Sequence, residues 1–276
     1  AGAMLWPMPR PRVVFLGTGG ALNPARYQAA VLVTCGDTRV LLDTGGGLGL
    51  VRRLLTAEVD PATVGHVFLS HRHLDHMGGL EPLLLTMSLS AFRAGTTPRP
   101  VTLYALPESA AAIRATLAAA DGAGERRLAA QLSWITPGPG ALLALPGEVG
   151  LVLTSVDHLP VGGDAAGCVV VGDGARVAYS GDTRPCEALA DAARGADLLI
   201  HEVGGLQARA EVVHQVGHST AADAGRIAAR AGVRALALFH VPAADWVAPA
   251  DLLAEARHHA PGVEVFLSED GMALGV

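Results

Sequence analysis

The chain has 276 residues and a formal net charge of −6, from 26 acidic residues against 20 basic ones, every basic residue being arginine. That length can bury a sizeable core, while the scattered arginines form no basic run of the nucleic-acid-binding kind. No stretch approaches the roughly 18 uninterrupted apolar residues of a membrane helix.

Hydrophobic residues make up 50% of the chain, but as Ala, Val and Leu in short segments, which is the pattern of a layered α/β protein. Cys35, Cys168 and Cys186 are too few and too scattered for a disulfide framework and read as packed thiols in a reducing cytoplasm. Residues 1–10, "AGAMLWPMPR", read as an N-terminal extension or a cloning remnant, and 11–276 as one domain.

"RVVFLG" reads as a strand leading into the Gly-rich turn "GTGG", followed by strands "AAVLVTC" and "RVLLDTG" around the turn "GDT". "GLVRRLLTA" has helical spacing, with Leu50, Leu54 and Leu55 on one face. "HVFLS" is a short buried strand, and "VTLYA" is a strand between the helices "LEPLLLTMSLSAF" and "PESAAAIRATLAAA". The Gly/Pro-rich stretch 136–148 is either a lid or the join between two halves. Beyond it come strands "EVGLVLTSVDH", "GCVVVGDG", "RVAYSGD", "DLLIHE", "ALALFHV" and "VEVFLSED". "PCEALADAARG", "STAADAGRIAARAG" and "PADLLAEARHHA" read as helices. The order predicts an α/β fold of two facing sheets with helices outside.

Ligand-capable residues gather at strand ends. "HRHLDHMGG" at 71–79 follows "HVFLS" directly. His71 and His73 are two apart and share a face of extended chain. Asp75 and His76 follow where Gly78 and Gly79 let the chain turn into a helix. His158, Asp182 and His240 each close another apolar run. Imidazoles and carboxylates without cysteine suit zinc and similar divalent ions. Five histidines and two aspartates suffice for two ions with three protein ligands each and a carboxylate bridge. A lone His or Asp at a strand end is usually only a polar terminus, but four such residues in "HRHLDH" would be costly to bury without a partner.

"HRHLDH" matches the His-x-His-x-Asp-His signature of the metallo-β-lactamase fold hydrolases, and "GTGG", "LLDTGGG", His158, "GDT" and His240 follow in that family's order. The resemblance covers roughly 13–270 and implies an αββα sandwich with metals at the edge of paired mixed sheets. It implies that His71, His73 and His158 hold one metal, Asp75, His76 and His240 the other, and that Asp182 bridges them. The metals expected are Zn2+, with Mn2+ or Fe2+ as alternatives. Diiron redox members carry a Glu-containing signature, so this chain resembles the hydrolytic ones.

Within the family, "SGDTRPC", "LIHEV", "GHSTAADAGRIAARAGV" and "FHV" resemble ribonuclease Z, the tRNA 3′-processing endonuclease. The resemblance implies a Glu202–His218 pair beside the metals, with His218 protonating the leaving oxygen. Ser219 or Thr220 can also cap the following helix. Two features depart from ribonuclease Z. Only 23 residues separate His158 from Asp182, where many members insert a long tRNA-gripping arm, and "HEVG" stands in place of "HEAT".

The chemistry expected is a metal-bound hydroxide attacking a phosphodiester, RNA or smaller, with Asp75 orienting the water. His218 acts as general acid, held by Glu202. A carboxylic ester, lactone or sulfate-ester hydrolase on the same scaffold is the alternative, and a non-enzymatic binding module a third. Asp43 either supports a metal-bound histidine or only shapes the turn with Gly45–Gly47. Arg184 either meets a phosphate or locks its loop by a salt bridge. His201 and His214 read as structural, and Cys186 as a packed thiol. No membrane association is expected, and a homodimer is a possible assembly.

Overall fold

The structure is a computed structural model and describes residues 10–120, 131–158 and 163–276. Residues 1–9 of the N-terminal extension, and the turn expected at 159–162, lie outside the described residues.

In chain order the first half contains β1 (Arg12–Gly17), β2 (Ala30–Cys35), β3 (Thr38–Leu42), α1 (Gly49–Thr56), β4 (His66–Phe68), α2 (Leu74–Met77), α3 (Leu80–Arg93), β5 (Val101–Tyr104), α4 (Pro107–Ala120) and β6 (Leu132–Ile135). The second contains β7 (Leu142–Leu145), β8 (Val149–Val156), β9 (Ala165–Gly172), β10 (Ala175–Tyr179), α5 (Glu187–Ala192), β11 (Leu198–Glu202), α6 (Ala210–Gln215), α7 (Ala221–Ala231), β12 (Ala235–Phe239), α8 (Pro249–His259), β13 (Glu264–Leu267) and β14 (Ala273–Gly275).

The strands form two mixed seven-stranded sheets, ordered β14-β1-β2-β3-β4-β5-β6 and β13-β12-β11-β10-β9-β8-β7. The period of two along each strand decides what lies between them. Val13 and Phe15, Val31 and Val33, Ile200, and Ala237 and Phe239 point inward and pack as one cluster between the sheets. Their neighbours Val14, Leu16 and Leu32 pack outward with residues of α1, α3 and α4. Leu199, Leu236 and Leu238 pack outward with residues of α5, α7 and α8. With both faces of each sheet covered, the strands read as nearly continuous apolar runs. The expected αββα sandwich is the architecture found.

On α1 the buried residues are Leu50, Val51 and Leu54. Leu55 is 59% exposed, contrary to the expected face, because Val51 lies beside Leu54 at the i, i+3 spacing. Three strands were not legible: β6, β7 and β14 are three or four residues long, and β6 and β14 have exposed faces. Short strands at sheet margins carry little periodic signal. The Gly/Pro-rich segment is the join rather than a lid, since β7 lies within it and pairs with β8 as the margin of the second sheet.

The second sheet's outer wall depends on how α7 begins. Thr220 accepts from the Asp223 backbone N–H while the Asp223 carboxylate accepts from the Thr220 N–H, a capping box, and the helix ends on Gly232 at φ 62°. Asp223 also accepts from His214 and Arg226. Burial alone would raise its pKa, but these hydrogen bonds hold it down at about 2. A depressed carboxylate stabilises the fold above its unfolded value near 4, and that contribution is lost as pH falls toward 2. We therefore expect Asp223→Ala to cost about 1–3 kcal/mol at pH 7 in urea unfolding. The difference from the parent should shrink in the same titration repeated at pH 3.

Candidate metal centre

Strand direction brings the polar residues to one edge. β3, β4, β5 and β6 are mutually parallel. In the second sheet β10, β11, β12 and β13 are parallel, and β8 runs with them because β9 is antiparallel to both β8 and β10. The C-terminal ends of these strands carry Asp43, His71, His158, Asp182, Glu202 and His240, the position where open α/β sheets place their ligands. His73 is extended at the start of α2, and Asp75 and His76 lie within that single turn. Gly79 is required there. A Cβ on it would stand 2.1 Å from the Thr44 carbonyl oxygen, so any side chain would push α2 off the end of β3.

The structure brings all seven expected ligands into two adjoining groups. The ligand-capable atoms of His71, His73 and His158 lie within 4.8 Å of one another, as do those of Asp75, His76, Asp182 and His240. His71 Nε2 and His73 Nδ1 are 2.9 Å apart. Asp182 Oδ2 lies 3.2 Å from His76 Nε2, 3.6 Å from His240 Nε2 and 3.9 Å from His71 Nε2, so it reaches both groups. Asp75 Oδ2 lies 3.3 Å from His240 Nε2 and 3.4 Å from His76 Nε2.

The surrounding hydrogen bonds settle which imidazole nitrogens face inward. His76 Nδ1 donates to Asp43 Oδ2 at 2.7 Å, and His158 Nδ1 donates to the Gly217 carbonyl at 2.8 Å. Ser70 Oγ donates to Asp43 Oδ2 at 2.7 Å and accepts from His71 Nδ1 at 3.0 Å. Each ring thus spends Nδ1 on the scaffold and turns Nε2 to the cluster. Burial holds His71 and His158 below the usual histidine range, in the neutral form that ligates. Burial would do the same to His76, but Asp182, Asp43 and Asp75 outweigh it and raise its pKa. Asp182 is lowered despite its burial, by His240 and His76. Asp75 is lowered despite burial by His76 and His240.

The residues fit divalent ions. His76 Nε2, His158 Nε2 and Asp182 Oδ1 are buried with no hydrogen-bond partner among the described residues, a cost that protein interiors rarely leave uncompensated. Among the described residues no Arg pairs with the carboxylates crowded around them, and the donor set of imidazole and carboxylate suits zinc, manganese or iron.

Glu202 and His218 adjoin this cluster. Glu202 is buried at the end of β11, and its Oε1 accepts from His218 Nδ1 at 3.1 Å and from the backbone N–H groups of Thr183 and Ser219 at 3.0 Å each. Burial disfavours the His218 cation, but Glu202 and then Asp182 outweigh it and hold the pKa up at about 9. The ring lies near both groups, 5.4 Å centroid to centroid from His158 and from His240. Thr220 caps α7, as the helix-cap reading of "HST" expected, while the Ser219 N–H bonds Glu202.

Among the residues left open, Asp43 does both jobs. It sits in the turn at φ 56° and takes His76 Nδ1. Arg184 locks its loop, pairing with Asp157 at 2.7 Å. His201 is buried on β11 and its Nδ1 bonds the Glu202 carbonyl, while His214 bonds Asp223. The Cys186 thiol lies 3.8 Å from the Ser155 carbonyl. Sequence reasoning missed Ser70, Tyr179 and the Gly217 carbonyl, which orient His71, Asp43 and His158. Only Ser70 had a visible signal, as the polar residue between an apolar run and "HRHLDH".

An αββα sandwich with this His/Asp cluster at the strand ends defines the metallo-β-lactamase class of hydrolase. The chain belongs to the beta-lactamase superfamily, with residues 38–241 matching its domain model. It is similar to ribonuclease Z of Mycobacterium bovis (strain BCG / Pasteur 1173P2), 32% identical over 251 residues, covering 84% of this chain and 86% of that protein. With ribonuclease Z of Haloferax volcanii it shares 31% identity, covering 96% of this chain and 95% of the relative. That alignment runs to 311 positions against a 276-residue chain, so the relative carries segments absent here. The metallo-beta-lactamase fold protein YhfI of Bacillus subtilis matches with a TM-score of 0.79 at 21% identity, covering 96% of this chain and 99% of that one. The protein is a ribonuclease Z-like, metal-dependent hydrolase.

Asp43→Asn keeps the volume but replaces an acceptor oxygen with an amide. We expect it to lower metal affinity about 10–100-fold, measured by competition with a chromogenic chelator, with circular dichroism checking that the fold is retained.

Proposed function

We propose that the protein is a dinuclear zinc phosphodiesterase. His71, His73 and His158 hold one ion, Asp75, His76 and His240 the other, and Asp182 bridges them. The observation that carries this reading is the Glu202–His218 pair set beside the two donor groups. A phosphodiester has a poor leaving group and benefits from an acid at the departing oxygen, whereas a strained lactam or lactone needs one less. Ions in this donor set would lower the pKa of a water and offset charge on the phosphate oxygens.

The chain's own side chains carry the proton traffic. Asp75 is the more exposed of the two cluster carboxylates and takes a proton from the attacking water. Hydrolysis makes one P–O bond to the water oxygen and breaks one P–O bond to the leaving alcohol. His218 delivers the proton that the departing oxygen requires, and Glu202 keeps the ring in place through Nδ1. Asp43 prevents His76 from turning out of the cluster.

The name of the relatives supports RNA as a substrate, and the 23 residues between His158 and Asp182 support a smaller diester. Beyond β9 and β10 that interval has little room for an arm. The test is zinc-loaded protein offered a 3′-extended precursor tRNA and a small chromogenic phosphodiester, each with a chelator control. Chelator-sensitive turnover of the small diester is the expected result, and cleavage at the tRNA 3′ side would restore the processing role. Failure on both by protein shown to hold two ions would sink the phosphodiesterase reading in favour of carboxylic ester, lactone or sulfate-ester hydrolysis.

His218→Ala should lower kcat for diesters with alkoxide leaving groups by about 10²–10⁴-fold. It should spare p-nitrophenolate release, which needs no proton. An equal loss on both would remove His218 from the acid role.

A further inference from the structure

A cavity of about 780 Å3 opens beside the proposed acid, and both His218 and His240 belong to its lining. Its walls come from three places: the loop after β1 with Leu22, α6 and the residue beyond it with Val212 and Val216, and the loop after β12 with Pro242 and Trp246. The walls are preformed. Asn23 Nδ2 donates to the carbonyls of Val241 and Pro242 at 3.0 Å each, tying the first loop to the third. The Arg209 guanidinium lies 4.8 Å from the centroid of the Trp246 ring, covering one of its faces. Gly204 makes room for the acid itself, since a Cβ there would stand 2.7 Å from His218 Cβ.

The lining is apolar at the places where a soluble surface is normally polar. Leu22 is 91% exposed, and Trp246, Val212 and Val216 are about half exposed. Among the described residues no arginine lines the cavity, and Asp245, which does, repels anions. A polynucleotide continuing past the scissile bond would bring further phosphates along this wall, where the described lining offers Asp245 and no arginine, the Arg209 guanidinium being set against Trp246. A preformed apolar pocket of this size suits a compact uncharged group, and the half-exposed indole offers it a flat surface.

Resting on the phosphodiesterase reading, we infer that this cavity receives the leaving group, and that the preferred substrates are small phosphodiesters whose departing alcohol or phenol is uncharged and apolar, with an aromatic ring the best fit. The side of the phosphorus is set by His218. The group that protonates the departing oxygen must touch it, so what that oxygen carries lies against the wall that His218 shares.

Two measurements on one set of proteins test this. The first compares kcat/KM of the zinc-loaded enzyme for methyl phenyl phosphate, methyl 2-naphthyl phosphate and a short oligoribonucleotide. The second is calorimetric titration of 2-naphthol into the zinc-loaded protein, which needs no turnover. Both are repeated with Val212→Asp and Trp246→Ala. The expected result is a preference of about tenfold or more for naphthyl over phenyl, with the oligoribonucleotide poorest. The preference should collapse below about threefold in Val212→Asp, and 2-naphthol binding should weaken about tenfold in both variants. Turnover of methyl phenyl phosphate without naphthyl preference or 2-naphthol binding would overturn the cavity assignment and leave the phosphodiesterase reading intact. Variant-sensitive 2-naphthol binding without cleavage of any diester would keep the cavity as an apolar-group site and overturn that reading instead. A tight dimer in sedimentation velocity that Val212→Asp dissociates, with no 2-naphthol binding, would give the cavity to a second copy of the chain and overturn the inference.

Discussion

One buried carboxylate holds the site together. Asp43 accepts from the Ser70 backbone N–H, the Ser70 hydroxyl, His76 Nδ1 and the Tyr179 hydroxyl, all at 2.7 Å. Burying a charge is expensive unless such bonds replace its water. These four do that, and they join the end of β3 to the segment after β4, to α2 and to the opposite sheet through β10. Tyr179 makes the inter-sheet link. Its ring packs edge-on against Phe68 and Phe239 in the inner core, while its hydroxyl reaches the carboxylate at the edge. The apolar sandwich and the polar cluster are therefore one construction, with Asp43 at the seam.

The cluster above that seam is unfinished as protein alone. Carboxylates face one another across buried imidazoles, and several ligand-capable atoms have no hydrogen-bond partner among the described residues. Asp43 and His240 both hold positive φ, at 56° and 54°, a backbone region that side chains disfavour. Unsatisfied atoms and strained backbone at a site are sustained by surroundings that over-determine them. Here the support is the double core, with Phe239 and Phe68 anchored in it and leading to His240 and to "HRHLDH". The arrangement makes sense once cations complete it.

The two sides of the site differ in character. Toward β10 and α2 the wall is polar, with Asp75 and Asp182 set among the imidazoles. Toward α6 and the loop after β12 the wall is apolar. His218 stands where the two sides meet, with Glu202 behind it and the cavity in front. The turn before α7 ties the helix start to the cluster's edge, because Thr220 caps the helix while Ser219 N–H bonds Glu202. A substrate with a charged centre and an apolar departing group matches both sides.

Much of this was legible in the linear chain. Apolar runs of four to eight residues marked most strands, and Ser219 or Thr220 marked the start of α7, because these signals are local. "HRHLDH" was legible because four ligand types in six residues have no cheap alternative burial. Short marginal strands such as β6 and β14 were not, since they bury too little to impose a pattern. The grouping of His158, Asp182 and His240 with "HRHLDH" was implied only by family resemblance; spacing along the chain cannot say which strand ends share an edge. The choice between turn and support for Asp43, and between phosphate and salt bridge for Arg184, also waited on the fold, because each depends on a partner distant in sequence or on the path of a loop. Ser70 and Tyr179 look like ordinary strand residues until two sheets face each other. The apolar cavity had no sequence signal, being assembled from Leu22, Val212 and Trp246 on three separate segments. The sequence by itself determined which chemical groups were available and which segments would be strands or helices. Tertiary structure alone decided their convergence, because sheet order and strand direction determine which ends meet, and those are properties of long-range pairing.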